Sequence, residues 1–369
     1  MSFVPVRLKE LRILNGFTLE EVAAKIGVTK QAVSKYEGGK AIPATDVIVK
    51  ILKEFGINRS YLTNERELPE EKSIVFFRKK IRTPKKEEEE AEVYLKVFYE
   101  IIITAEQIYP TKETELPMFP EDMSINDKAL LLRDFWGIGQ EPIDDIISLL
   151  EAHGFYMFTA DMQGKKVDGY SQRIGNIPII VLNEKPVTKV RNHFSIAHEL
   201  GHLILHQNLK EESLAMEAEA DEFAGCFLMP EDAIRADLIR RDSSYFFTLA
   251  EKWKVSPQAV AQRYANLQLL GRNKEENQAR LTSLHQYFNR EKGKKIYQEN
   301  DERIICSIRS VLKRIEADNG RAKRFLQELR LPIKEIQRLC CWPNGFSEYG
   351  QLVSEAVNDI DGVQLSFEF

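Results

Sequence analysis

Residues 193–202 read HFSIAHELGH. In an α-helix, positions i and i+4 lie one turn apart on one face, so His198 and His202 can offer imidazole nitrogens to a single metal ion. Glu199 sits about 100° round from His198, where its carboxylate reaches a water beside the metal rather than the metal itself. Ile196, Leu200 and Leu203 recur at i, i+4 and i+7 and give the same helix an apolar face to bury. A helix committed on one face to a core and on another to a metal needs a second element across from it, carrying a third ligand. Gly201 costs about 1 kcal/mol against alanine in mid-helix, which predicts a close neighbour at that point.

The third ligand is not His206. Eight residues of helix span about 12 Å, whereas ligands of one zinc each lie about 2 Å from it. His193, five residues before His198, is also badly placed, and both histidines are read as outer-sphere or surface groups. Downstream, AMEAEADEFAGCFLMP spells a second helix with Glu217 and Asp221 four apart on one face. A helical glutamate can complete a His-His-Glu set and leave a fourth position open. Asp221, one turn on, can accept the outer N–H of a ligand histidine and fix its tautomer. Glu219 points elsewhere and is the weaker candidate. Nitrogen and carboxylate ligands in such a set suit zinc, with manganese as the alternative.

A second signal lies at the other end of the chain. TLEEVAAKIG opens on Thr18 with Glu21 three residues on and closes at Gly27. TKQAVSKYEGG opens at Thr29 after the Gly27-Val28 turn. Two short helices joined this tightly form a helix-turn-helix, in which the start of the second helix enters the major groove. Thr29, Lys30, Gln31, Ser34 and Lys35 supply the polar and basic groups there, while Ala32, Val33 and Tyr36 face inward. Charge supports the reading. The chain is −5 overall, but residues 1–63 hold ten Lys or Arg and six Asp or Glu, a net +4, leaving −9 on the remainder. Only the head is suited to an anionic polymer.

Between and beyond these motifs the chain is less explicit. Residues 64–92 alternate acidic and basic blocks around one apolar patch, Ile74 to Phe77, and read as a connector; a helix follows from near Glu88 to Tyr109. GFYMFTAD and IPIIVLN are strand-like, with a glycine-bearing loop or hairpin between them, and Pro178 suits an edge strand. EPIDDIISLLEAHG reads as a helix with Pro142 near its first turn. No apolar run approaches the roughly 18 residues of a membrane span. The N-terminus lacks the apolar core of a secretory signal. The four cysteines, Cys226, Cys306, Cys340 and Cys341, form no C-x-x-C pair and read as buried small residues. A reducing, cytoplasmic location is expected, with no membrane partner.

The head resembles the Xre/Cro-type helix-turn-helix family over about residues 5–63, on Glu20-Glu21-Val22-Ala23, Gly27-Val28-Thr29, Val33-Ser34, Glu37-Gly38 and Pro43. One departure is Leu19, where that family usually has glutamine. The pair RNHFSIAHELGHLILH and EAEADEFAGCFLMP resembles the ImmA/IrrE family of zinc metallopeptidases, over about Asp144 to Leu270. The resemblance implies His198, His202 and Glu217 as ligands and Glu199 as general base, with Tyr170, Arg191 or His193 as the oxyanion donor. It also implies that IPIIVLN lies where such enzymes take substrate as an added strand.

The expected fold class is α+β, mostly α. It comprises an all-α helix-turn-helix bundle at 1–63, a connector and linking helix at 64–110, a zincin-like metallopeptidase domain with a small sheet at 111–272, and a helical C-terminal region at 273–369. The expected protein is a DNA-binding transcriptional regulator. Its zinc-dependent endopeptidase domain would hydrolyse a peptide bond in a repressor-like partner, or in the chain itself. The alternative is a transcription factor or antitoxin whose metal domain serves as a sensor or a scaffold for a toxin or other protein. A double-stranded operator is the expected DNA partner, and a homodimer is compatible with the sequence. The connector and the C-terminal region are the two candidates for gating activity; the C-terminal region is favoured, as a signal- or partner-responsive module, against the alternative of a helical extension that only stabilises the fold or a dimer.

Overall fold

The computed structural model describes residues 2–63, 76–77, 85–160, 169–184, 187–206, 214–240, 242–290, 300–301 and 305–349. In chain order the elements are α1 (Pro5–Leu14), α2 (Leu19–Ile26), α3 (Lys30–Glu37), α4 (Thr45–Phe55), α5 (Arg59–Thr63), β1 (Phe76–Phe77), α6 (Lys85–Glu106), α7 (Ile125–Phe135) and α8 (Ile146–Ala152). Then come β2 (Tyr156–Ala160), β3 (Gly169–Ile174), β4 (Ile177–Asn183), β5 (Val187–Thr188), α9 (Lys189–Leu205) and α10 (Leu214–Leu228). The last are α11 (Glu231–Ala236), α12 (Tyr245–Trp253), α13 (Pro257–Asn266), α14 (Lys274–Arg290), β6 (Asn300–Asp301), α15 (Arg309–Glu316), α16 (Asn319–Leu329) and α17 (Ile333–Leu339). No helix among the described residues is long and apolar enough to cross a membrane. The chain is α+β and mostly α.

It divides into two compact units. One comprises Met1–Glu70, Pro84–Thr111 and Ile305–Phe369, the other Glu71–Thr83 and Lys112–Ile304. In the first unit, α1–α5 close around Leu8, Leu11, Val22, Ile26, Val33 and Ile51, all fully buried. Local chemistry sets the helix ends. Thr18 and Glu21 form a reciprocal capping box at the start of α2, and Gly27 stops it at φ +71°, a left-handed conformation that glycine adopts without strain. Thr29 caps α3 by accepting from the Ala32 amide at 3.2 Å.

Helix α6 packs on α1, and α15 and α16 pack on α6. A buried ion cluster marks the α1–α6 contact. Arg7 donates to both Glu100 oxygens at 3.1 and 3.0 Å and to Glu10 at 3.1 Å, beneath the Tyr61 ring. Burial alone would lower the guanidinium's pKa; the bonds and charge of Glu100 outweigh it and hold the pKa above the usual arginine range. The stretch after residue 272 is therefore divided: α14 lies in the second unit, and α15–α17 lie with the head.

In the second unit the main sheet has the order β1-β3-β4-β2. Strand β2 runs parallel to β4, and β3 antiparallel to it through a two-residue turn where Gly175 takes φ +58°. Strand β4 is thus interior, which corrects both its reading as an edge and its expected place as the substrate's docking strand. Pro178 is tolerated because it lies one residue before the first β2–β4 pair, Tyr156 with Ile179. The apolar run of β4 is that of a strand buried between neighbours. Pro142 is also outside its expected helix: α8 starts at Ile146, because Asp145 caps it by accepting from the Ile147 amide at 3.1 Å. Strands β5 and β6 form a separate two-stranded ladder.

Candidate metal centre

Helix α9 is capped by Thr188 and carries its apolar and polar faces alike into the interior. It crosses α10 at Gly201. A Cβ there would lie 3.2 Å from the Ala220 Cα and carbonyl oxygen and from the Phe223 Cβ, so only glycine lets the two backbones meet this closely. The crossing sets Glu217, one turn before Ala220, opposite His202. Two buried arginines hold the far end of α10. Arg133 donates to the carbonyl oxygens of Phe227, Gly139 and Glu141, and Arg263 donates to the Met229 carbonyl oxygen at 3.0 Å and to Cys226 Sγ at 3.1 Å. Cations suit a helix C-terminus, where carbonyls are unsatisfied. Burial nonetheless pushes the Arg133 pKa down to about 10.

Three side chains converge at the crossing. His198 Nε2 and His202 Nε2 are 3.0 Å apart; Glu217 Oε1 lies 3.3 Å from His202 Nε2, and Glu217 Oε2 lies 3.8 Å from His198 Nε2. Four ligands about 2.05 Å from a tetrahedral zinc stand about 3.3 Å from one another. The three side chains stand at separations close to this, with one ligand atom from each within 4.8 Å of the others, and they are a group that could hold a metal ion.

The surrounding hydrogen bonds point the same way. A carboxylate only accepts, so Asp221 takes the Nδ1–H of His198 at 2.8 Å and leaves Nε2 with its lone pair inward. On the other side the bond passes through a second histidine. Glu219 accepts from His206 Nε2 at 2.8 Å, and His206 Nδ1 is left to accept from His202 Nδ1 at 3.0 Å. His202 Nε2 then also faces inward with a lone pair. Two imidazole lone pairs 3.0 Å apart repel unless a cation lies between them, so the donor set fits a divalent metal. Burial lowers the His206 pKa against the pull of Glu219, which favours the neutral ring this relay requires. Glu219 is engaged with His206 rather than with the Glu217 group.

Glu199 is fully buried. Ser171 on β3 donates to its Oε2 at 2.7 Å, Oε1 has no hydrogen-bond partner among the described residues, and a Cβ on Gly169 would lie 3.6 Å from Oε1. Burial raises the Glu199 pKa against the opposing influence of His202 and His198. The result is a buried carboxylate with one oxygen held by Ser171 and the other unpaired among the described residues. Ser171 carries no motif that marks it in the sequence; only the pairing of β3 beside α9 brings it here.

The three oxyanion-donor candidates are placed differently. Gly169 and Ser171 face Glu199, so alternation along β3 puts Tyr170 on the opposite face of the strand. His193 is buried, near enough to Asp144 to help lower its pKa behind the larger effect of Lys254. Arg191 lines a cleft of about 1080 Å³ with Asp221, Phe194, Gln258, Gln262 and His285. Of the three, Arg191 shares an open space with a residue of the site.

In the other unit, Thr29, Lys30, Gln31, Ser34 and Lys35 are all exposed at the start and outer face of α3, and Val33 is buried. Lys30 pairs with Glu20 at the surface. Arg12 grips Glu37 through two bonds of 2.7 and 2.8 Å and ties α3 to α1.

Comparison with known proteins divides the chain in the same order. Residues 8–62 match the family model described as Helix-turn-helix, and residues 150–264 match the M78 peptidase model described as IrrE N-terminal-like domain. The curated relatives include the HTH-type transcriptional regulators PuuR of Escherichia coli (strain K12) and Shigella flexneri. Each is 35% identical over 69 residues, which is 19% of this chain and 37% of the relative's length. The chain thus carries a helix-turn-helix domain followed by an IrrE-like domain of a metallopeptidase family.

Proposed function

We propose, from the premise that one chain carries a helix-turn-helix domain and an IrrE-like peptidase domain, that the protein is a DNA-bound endopeptidase regulator that cleaves a repressor-like protein partner or its own chain. The observation that carries the reading is the convergence of His198, His202 and Glu217 beside a buried Glu199 whose second oxygen is open. Zinc is the metal the donor set favours, and when bound it supplies a Lewis acid that polarises a peptide carbonyl and acidifies water.

The protein's own groups do the rest. Glu199 takes the proton of the attacking water on Oε1, while Ser171 holds Oε2 in place, and then delivers that proton to the leaving amine nitrogen. A pKa raised by burial suits both halves of this exchange. Asp221 and the Glu219–His206 pair keep both ligand histidines in the tautomer that can bind. In the head, Thr29, Gln31 and Ser34 offer hydrogen bonds to base edges and Lys30 and Lys35 offer charge to phosphates of a double-stranded operator.

The test is mass spectrometry of candidate partner proteins incubated with the zinc-loaded chain and, in parallel, with Glu199→Gln. Cleavage products seen with the wild type and absent with the variant support the reading. Equal products from both, or none with any partner or from the chain itself, reject it and leave the scaffold alternative. The head is tested by a mobility shift on fragments of the protein's own promoter region, where no specific shift at low salt rejects DNA binding.

A further inference from the structure

Strand β3 is the part of the sheet that passes the reactive carboxylate. It packs on α9, Ser171 donates to Glu199 Oε2 at 2.7 Å, and Gly169 lies close to Oε1. One side of β3 pairs with β4 along its whole length. The other side is the edge of the sheet, and its backbone groups are within a strand's width of the residues that flank Glu199. An edge of this kind binds any extended polypeptide through main-chain hydrogen bonds, whatever its side chains.

That edge already has an occupant. Connector residues 76 and 77 pair with it in antiparallel register, Phe76 opposite Ser171 and Phe77 opposite Tyr170. The register is informative, because the connector's backbone lies against the very residue whose side chain orients Glu199. Among the described residues β1 is the strand on this edge. The elements that bracket the connector, α5 and α6, both belong to the unit that bears the helix-turn-helix, whereas the connector's residues 71–83 belong to the other.

We infer that the outer edge of β3 is the docking edge for an extended polypeptide, and that the connector is its resident ligand, which an incoming chain must displace. The inference rests on the peptidase reading in one respect: the incoming polypeptide is then the substrate. A tethered segment competes at an effective concentration on the order of millimolar, so a free chain of equal intrinsic affinity binds only weakly until the connector leaves. This makes the connector an internal brake that acts at the substrate edge.

The experiment uses the full-length, metal-stripped protein, so that cleavage cannot intervene. The probe is a fluorescein-labelled synthetic peptide with the sequence of residues 72–82, KSIVFFRKKIR. Its binding is measured by anisotropy to the wild type and to Phe76→Pro/Phe77→Pro, since proline has no N–H for the ladder. The double variant is expected to bind at least tenfold more tightly than the wild type, and a peptide carrying the same two prolines is expected to bind neither. Equal affinity for both proteins, or no binding to either, overturns the inference. Hydrogen exchange of the 169–174 segment gives a second reading that does not need the peptide. It should be slow in the wild type and at least tenfold faster in the double variant, and unchanged rates overturn the assignment. The two readings of the site separate cleanly. Peptide binding without any cleavage by the zinc-loaded protein removes the peptidase reading alone, and cleavage without edge binding removes this inference alone.

Discussion

Glu199 and His206 illustrate two ways in which a single residue can matter at one metal centre. In the proposed reaction Glu199 takes the proton of the attacking water, so replacing it with glutamine should spare the fold and the zinc while cleavage falls by about 10²-fold or more. Zinc content by elemental analysis and product formation by mass spectrometry check the two halves separately. His206 would act through His202, whose Nδ1 it faces at 3.0 Å. His206→Leu removes the acceptor for His202 Nδ1 and frees that ring to turn or to change tautomer, so zinc affinity should drop by about 10- to 100-fold. His206→Gln offers both an acceptor and a donor and should recover most of that affinity, which a purely steric role would not predict. Competition with a zinc-selective chromophoric chelator measures both variants, and equal losses in Leu and Gln would rule out the relay.

The pairing of α9 with α10 shows how an element's position depends on one missing side chain. At Gly201 the helices approach so closely that a Cβ meets Ala220 and Phe223 at 3.2 Å. Gly201→Val should therefore push the two helices apart, despite the poor helix propensity of glycine. Overpacking of this kind costs about 1–3 kcal/mol, and it also draws Glu217 away from the histidines. The expected result is a lower melting temperature together with weaker zinc binding; a variant with unchanged metal affinity would show that α10 is positioned by its arginine-held end instead. In the head, the Arg7–Glu100 pair joins α1 to α6 in the interior. Glu100→Ala leaves a buried guanidinium with Glu10 as its remaining carboxylate contact in this cluster, and should destabilise the first unit by about 3 kcal/mol in denaturant unfolding.

At the scale of the whole molecule, the candidate metal ligands all lie in one compact unit and the candidate DNA contacts all lie in the other. A ligand that binds only the folded form stabilises it by about 2.7 kcal/mol at a hundredfold excess over its dissociation constant. Calorimetry should accordingly resolve two transitions, with zinc raising one and operator DNA the other. A single transition moved by both ligands would show instead that the units unfold together.

Much of this was legible from short-range sequence pattern, because the physics there is short-range. A helical period places His198 and His202 on one face and Glu199 just off it, whatever the rest of the chain does. Thr18, Glu21, Gly27 and Thr29 cap and stop their own helices by contacts three or four residues away. The mid-helix Gly201 announced a close neighbour without saying which. Tertiary structure alone decided the rest. That β4 is interior follows from β2 and β3 flanking it, a fact about pairing rather than about the composition of IPIIVLN. Glu217 and Glu219 are two residues apart on one acidic helix, and only the crossing at Gly201 turns one towards His202 and the other towards His206. Ser171 reaches Glu199, and the connector reaches β3, across sequence separations that no local period encodes. Side-chain periodicity is a property of the backbone and can be read along a line, whereas which faces meet depends on packing in three dimensions, where burial and hydrogen bonding are shared between segments far apart in the chain.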